Sequence, residues 1–379
     1  MAKLSTRQAG LMLFIIMLCN KMLSLNSHLA YDVLSDAWLV YIISFVIDFL
    51  FVLICIYFMR VIDKPFLEYT KEKFGKPVSI VIAILISVLF VFRTTQIMVD
   101  VYLFFAQLIY AEISRLIFIV CFISILFYFG SRQFRSLGRS AEMLIVLIFI
   151  SLFLSFLMSI KVLDLEKILP VLSTKFSSIC KSSVKHNLWF GDFLIFFFFI
   201  GNVKMEKNTA KKLIFSYLSS CFIVILFAIV FICAFGNTAS MHRVAVIDIT
   251  EFSPRLVAQG RFNWLVCFLF PIALILGLGI NANCLTMCFK FCVGQRRDPK
   301  NVYSGIIATA TILAVCIIFR FAYSAFYDFV TTYFFYYTFF AQYVLAVVML
   351  SIVNIKKLRE NKQKTTKKLP KNAKFEVKV

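Results

Sequence analysis

The sequence predicts an all-α transmembrane fold of about ten helices, from its composition, its repeated apolar runs and the confinement of its basic residues between them. Of 379 residues, 61% are hydrophobic and 16% charged, and the mean hydropathy is +0.91. A water-soluble core cannot hide that much apolar surface, whereas lipid accepts it. At about 20 residues per span, ten spans leave short loops and one tail, with no room for a separate soluble domain.

The runs fall near residues 9–31, 38–59, 77–106, 114–130, 141–160, 187–203, 213–236, 262–285, 302–322 and 329–353. The first, beginning at Ala9, lacks a small-residue cleavage site and is longer than a signal-peptide core, so it is expected to stay as span 1. Residues 1–355 then form one integral membrane domain, and 356–379 a basic, polar, disordered tail. The net charge of +21 lies between the runs and in this tail. That placement suits an anionic lipid surface, at roughly 1 kcal/mol per basic residue near the headgroups, and no nucleic-acid partner is expected.

Lys and Arg set the orientation. The N-terminus, the even-numbered loops and the tail hold 28 of them; the odd-numbered loops hold nine. The asymmetry places both termini in the cytoplasm and supports an even number of spans.

Chemistry-bearing residues are few. In span 1, Asn20, Lys21, Ser24 and Asn26 interrupt an apolar run at mid-depth, where an ammonium costs a few kcal/mol unless paired or wetted. Span 2 carries Asp48. Span 3 carries Arg93 and Asp100, two helical turns apart on one face. These charges read either as structural locks across helices or, for Lys21 and Arg93, as attractors for a ligand carboxylate or an ion. In span 6, Gly191 and Asp192 lie toward one end and Gly201 and Asn202 toward the other, marking a break or helix ends. Span 8 contains Pro271, Leu276, Gly277, Gly279, Asn281 and Asn283, where glycines admit a ligand or a neighbouring helix. Arg320 lies near the end of span 9. The phenylalanines, Phe196 to Phe199 included, read as lipid-facing or packing bulk.

Eight of the eleven cysteines sit within or at the ends of apolar runs, and Cys180 sits in a long polar loop; without a CxxC pair or a partnering His they read as small apolar residues. His28, His186 and His242 are dispersed, and HExxH, paired acidic metal motifs and P-loops are absent from the sequence. No enzyme activity, cofactor or metal site is expected.

Ten spans divided into two halves of five force the second half to enter with opposite polarity, the inverted-repeat plan of many secondary transporters. In that plan the first helix of each half is broken near the midplane, which directs attention to spans 1 and 6.

A set of short motifs extends these expectations: LSTRQ at Leu4–Gln8, Asp36-Ala37-Trp38, Pro65-Phe66-Leu67-Glu68-Tyr69 with Phe74-Gly75-Lys76, Arg93, Arg139-Ser140-Ala141-Glu142, Ile168-Leu169-Pro170-Val171-Leu172, Gly191-Asp192 and Arg261-Phe262. In this order and spacing the chain resembles the B-subunit permeases of bacterial spore-germination nutrient receptors, a branch of the amino acid/polyamine/organocation transporter superfamily, from Leu4 to about Ile355. The resemblance implies a LeuT-like 5+5 bundle that binds a germinant nutrient, typically an amino acid, in a midplane pocket. It implies an A subunit and a C-subunit lipoprotein as partners in the spore inner membrane or cell membrane. The resemblance adds the middle of span 8, near Leu276 and Gly277, to the residues already singled out, so the expected site is Asn20, Lys21, Ser24, Arg93, Gly191, Asp192, Leu276 and Gly277. Where relatives often carry Gly-x-Gly in span 1, this chain has Cys19-Asn20-Lys21, so a lysine can supply charge directly. A secondary amino-acid or cation transporter of the same superfamily is the alternative reading; a structural scaffold is a third.

Overall fold

The computed structural model describes residues 3–109, 115–160, 162–251, 262–294, 301–319, 322–344 and 346. The basic tail 356–379, Arg320 and Arg261 lie outside the described residues.

The helices, in chain order, are α1 (Thr6–Lys21), α2 (Leu25–Val33), α3 (Ala37–Val61), α4 (Phe66–Ile109), α5 (Arg115–Ser131), α6 (Phe134–Ser159) and α7 (Phe176–Lys185). They continue as α8 (Leu194–Phe199), α9 (Thr209–Phe235), α10 (Ala245–Glu251), α11 (Phe262–Val293), α12 (Val302–Ile318), α13 (Tyr323–Phe329) and α14 (Phe335–Phe339). No strand occurs among the described residues; a single parallel bridge joins Leu4 to Val203.

Five segments are long and apolar enough to cross a membrane: Leu25–Val61, Phe66–Leu108, Phe134–Ser159, Thr209–Met241 and Leu265–Val293. Their exposed faces suit lipid. On α6, Met143, Val146, Ile150, Phe153 and Leu157 are exposed at alternating three- and four-residue spacing, one helical stripe. Phe215, Leu218, Phe222 and Leu226, three or four residues apart, form a similar stripe on α9. Such stripes are a liability in water. Phe196 to Phe199, by contrast, are all buried, so that run is packing bulk.

The centre of the bundle is α11, which packs against α4, α5, α6, α12 and α1. α1 is buried along nearly its whole length, as a helix apolar on every face should be. Ser5 starts it through a capping box with Gln8, in which Ser5 N donates to Gln8 Oε1 at 3.1 Å and Gln8 N to Ser5 Oγ at 3.2 Å.

Several spans differ from the sequence reading. Span 1 is two helices, α1 and α2, separated at Met22–Ser24. The stretch before span 6, read as a polar loop, holds α7, which is followed by a break and then α8. α7 buries Ile179, Ser182 and Ser183 against α2 and α3 while Lys175 and Lys181 stay exposed, and so polar a helix escapes a hydropathy window. Cys180 therefore lies on a helix. α4 starts at Phe66 and kinks at Gly75, where φ is +84°. α11 runs to Val293, beyond the expected residue 285. The last span starts near Tyr323, and two π-helical turns, Val330–Phe334 and Phe340–Val344, flank α14.

Candidate ligand site

The two chain breaks face each other. α1 stops at Lys21 and α2 resumes at Leu25; the second break lies at Phe190–Phe193, where Gly191 takes φ +76°. A break frees backbone groups that must find partners in an apolar interior, and side chains supply them. The Lys21 carbonyl accepts from Asn26 Nδ2 at 3.0 Å and from the Tyr41 hydroxyl at 3.2 Å. Gly191 N donates to Asp48 Oδ2 at 2.7 Å, and the Gly191 carbonyl accepts from Arg93 Nη1 at 3.0 Å.

Asp192 joins the breaks. One carboxylate oxygen pairs with Lys21 Nζ and the other with Arg93 Nη2, all three side chains being buried. Lys21 Nζ also lies 5.3 Å from the centre of the Phe190 ring and 5.6 Å from that of Phe45, a partly aromatic cage for the ammonium. The Asn20 amide lies beside Arg93; in the orientation that matches acceptor to donor, its oxygen accepts from Arg93 Nε at 2.8 Å.

Arg93 and Asp100 share a face of α4, as their spacing predicts, and both reach the span 1 break. Asp100 accepts from Ser24 Oγ at 2.7 Å and from Gln96 Nε2. Asn20, Lys21, Arg93, Gly191 and Asp192 are thus one cluster, with Ser24 bordering it through Asp100. Leu276 is buried. Gly277 offers no polar side chain; a Cβ there would lie 2.8 Å from Cys19 Sγ, so this glycine lets α11 approach α1 just before the break.

Sequence reasoning missed other members. Asp48, read as an ion-pair lock, instead takes two hydrogen bonds, from Gly191 N and from the Tyr343 hydroxyl at 3.1 Å. Gln342 lies so near Gly191 that a Cβ at that glycine would meet its amide. The π-helical turn Phe340–Val344 carries Gln342 and Tyr343, and such turns frequently accompany functional sites. Asp48 was visible as an intramembrane charge, whereas Gln342 and Tyr343 carry no such signal.

Beyond α2 and α7, His28 and His186, read as dispersed, meet through Tyr327. The His28 and Tyr327 rings stack at 3.7 Å, and His186 Nε2 lies 2.7 Å from the Tyr327 hydroxyl. Lys185 pairs with Asp32 at 2.8 Å in the same region. On the opposite face the start of α1 is tied down: Leu4 N donates to the Asn202 carbonyl at 2.8 Å, and Lys204 N to the Leu4 carbonyl at 2.9 Å. The breaks therefore lie between a polar aromatic cluster on one side and a backbone clasp on the other.

Residues 3–276 match the family described as spore germination protein, Spore_permease. The chain belongs to this spore germination permease family. The matched stretch contains Asn20, Lys21, Ser24, Arg93, Gly191, Asp192 and Leu276 and ends one residue before Gly277. No curated protein matches the chain. Family and apolar helices together make this spore germination permease an integral membrane protein.

Proposed function

We propose that this spore germination permease senses a small nutrient, an amino acid by its chemistry, at the junction of the two helix breaks. The observation that carries the reading is the bridge from Asp192 to both Lys21 and Arg93. Two cationic and two acidic side chains, Asp48 being the fourth, surround that junction. A zwitterion complements such a set: its carboxylate competes with Asp192 for the cations, and its ammonium takes up the released acidic oxygens. Each exchange loosens a tie between α1, α4 and the α7–α8 break, which makes ligand binding a conformational signal.

In this reading the chain is a LeuT-like bundle of ten helices in two inverted halves, with both termini cytoplasmic, in the spore inner membrane or cell membrane. It acts with an A subunit and a C-subunit lipoprotein, and its basic tail rests on anionic lipid. The clasp at Leu4 favours sensing over the alternative, secondary transport, because alternating access requires gating elements to move and the start of α1 is fastened to the end of span 6.

The test is a thermal-shift screen of the purified protein against amino acids, nucleosides, sugars and ions, paired with uptake in proteoliposomes. Selective stabilisation by an amino acid without coupled uptake is expected. Fast, stoichiometric, ion-coupled uptake replaces sensing with transport, and stabilisation by nucleosides or sugars alone removes the amino-acid reading.

A further inference from the structure

A second site lies away from the breaks, at the face that carries the N-terminus. A cavity of about 580 Å³ opens there between the start of α1, the α3–α4 turn, the end of α8, the α5–α6 turn and the end of α11. Its volume falls in the range of small-molecule sites, about 300–1,000 Å³. The floor is apolar, with Phe66, Phe197, Phe198 and Met287. Five cationic side chains line it, Lys3, Lys64, Arg132, Arg135 and Lys290, against two acidic ones, Asp63 and Glu68. Lys64 is paired with Glu72, and Lys290 donates to Asn301. Arg132 and Arg135 have no ion pair among the described residues.

The turn that carries Arg132 is held in place before any ligand arrives. Buried Asn283 donates through Nδ2 to the carbonyls of Phe129, Gly130 and Arg132 at 3.0, 3.1 and 2.7 Å, fixing the α5–α6 turn on α11. Gly130 brings that turn close, since a Cβ there would sit 2.9 Å from Thr286 Oγ1. Arg132 lies over the Tyr128 ring at 4.4 Å. A turn so clamped presents Arg132, with its guanidinium over a ring, close in sequence to Arg135 in the first turn of α6, and guanidinium forks match phosphate oxygens.

We propose that this cavity binds a phosphate-bearing organic anion, with its phosphate against Arg132 and Arg135 and its apolar body on the phenylalanine floor. A soluble phosphate ester and an anionic lipid headgroup share that chemistry. The site is separate from the junction of the breaks: Ile86, in the cavity wall, precedes Arg93 by seven residues, roughly 10 Å along α4.

The experiment uses the full chain in phosphatidylcholine nanodiscs and reads thermal stability against adenosine monophosphate, with adenosine as the uncharged control. The monophosphate is expected to stabilise the protein and adenosine to have no effect. The doubly substituted R132Q/R135Q protein should bind about tenfold more weakly, and binding should weaken as salt is raised. Lys3→Gln, an exposed position outside every helix, gives a second and smaller loss. If phosphatidylglycerol nanodiscs stabilise the protein instead, and R132Q/R135Q abolishes that, a lipid headgroup is the source and the site stands. The proposal is overturned if neither the monophosphate nor phosphatidylglycerol stabilises the protein, or if R132Q/R135Q and Lys3→Gln leave the shift unchanged.

Discussion

At Asp192 one carboxylate answers two buried cations, and that ratio sets what substitutions do. Removing it strands Lys21 and Arg93 in the interior, and breaking a buried pair costs about 3–5 kcal/mol. Asp192→Asn should therefore lower the melting temperature more than Lys21→Met, which leaves Asp192 paired with Arg93 and fills the aromatic cage with an apolar chain of similar length. Melting curves in one detergent compare them, and equal losses argue against the bridge. Ligand response separates from stability: Lys21→Ala and Arg93→Ala should abolish nutrient-induced stabilisation while protein abundance holds, and normal dose–response curves in both remove the proposed site. Lys21 and Arg93 were legible in the sequence because an unpaired charge at mid-depth is too costly to be incidental. Their shared partner was less so. Asp192 is 171 residues from Lys21, and only the facing of the two breaks brings them together. Tyr343 and Gln342 were illegible, since a tyrosine and an amide among aromatics look like packing.

The motifs that carried the family resemblance turn out to meet one another. LSTRQ meets Arg139-Ser140-Ala141-Glu142: Arg7 Nε and Gln8 Nε2 donate to the Glu142 carboxylate at 2.7 and 2.9 Å, while Thr6 and Thr209 hydroxyls lie 2.9 Å apart. Pro65 meets the end of span 6, where Gly201 at φ +73° runs against the Lys64–Pro65 backbone. Asp36 meets the fifth loop beside Leu172, accepting from Leu172 N at 2.8 Å and from Thr174 N and Oγ1, each at 2.9 Å. Four donors of that loop, Leu172 N, Thr174 N and the Ser173 and Thr174 hydroxyls, converge on the two carboxylate oxygens of Asp36, more than the single amide oxygen of an asparagine can accept. At neutral pH Asp36→Asn should thus speed amide exchange at Leu172 and Thr174 by about tenfold, one charged hydrogen bond's worth, and unchanged protection there rejects the latch. Glu142→Gln should loosen the start of α1, seen as faster exchange near Arg7, with global melting shifted only slightly because Arg7 is largely exposed. The sequence supplied the order of these motifs, but their pairing depends on which helices pack together.

Across the whole molecule, hydropathy marked the two broken runs, 9–31 and 187–203, without resolving the pieces around each break, and the reason is the same at both. A helix that stops to place backbone groups and charges at its centre has pieces too short or too polar to register, as α7 with its exposed lysines and α8 with six residues illustrate. A helix in the fifth loop leaves the proposed alternation of the chain unchanged, because α7 is followed by the break and α8 before the chain reaches Lys204 and Lys207. Orientation then rests on the lysines of the two faces. Lys64, Lys71 and Lys73 are exposed on the side with the N-terminus, and Lys175 and Lys181 are exposed beyond the other end of α3. If the charge asymmetry sets the topology, a membrane-impermeant amine reagent applied to intact cells expressing the protein should modify Lys175 and Lys181 and spare Lys64, Lys71 and Lys73 until the membrane is opened. Mass spectrometry of the labelled peptides reads the result. Modification of the Lys64–Lys73 group from outside would invert the topology. Labelling of both groups from one side would contradict an odd number of spans between them, and with it the five-plus-five plan.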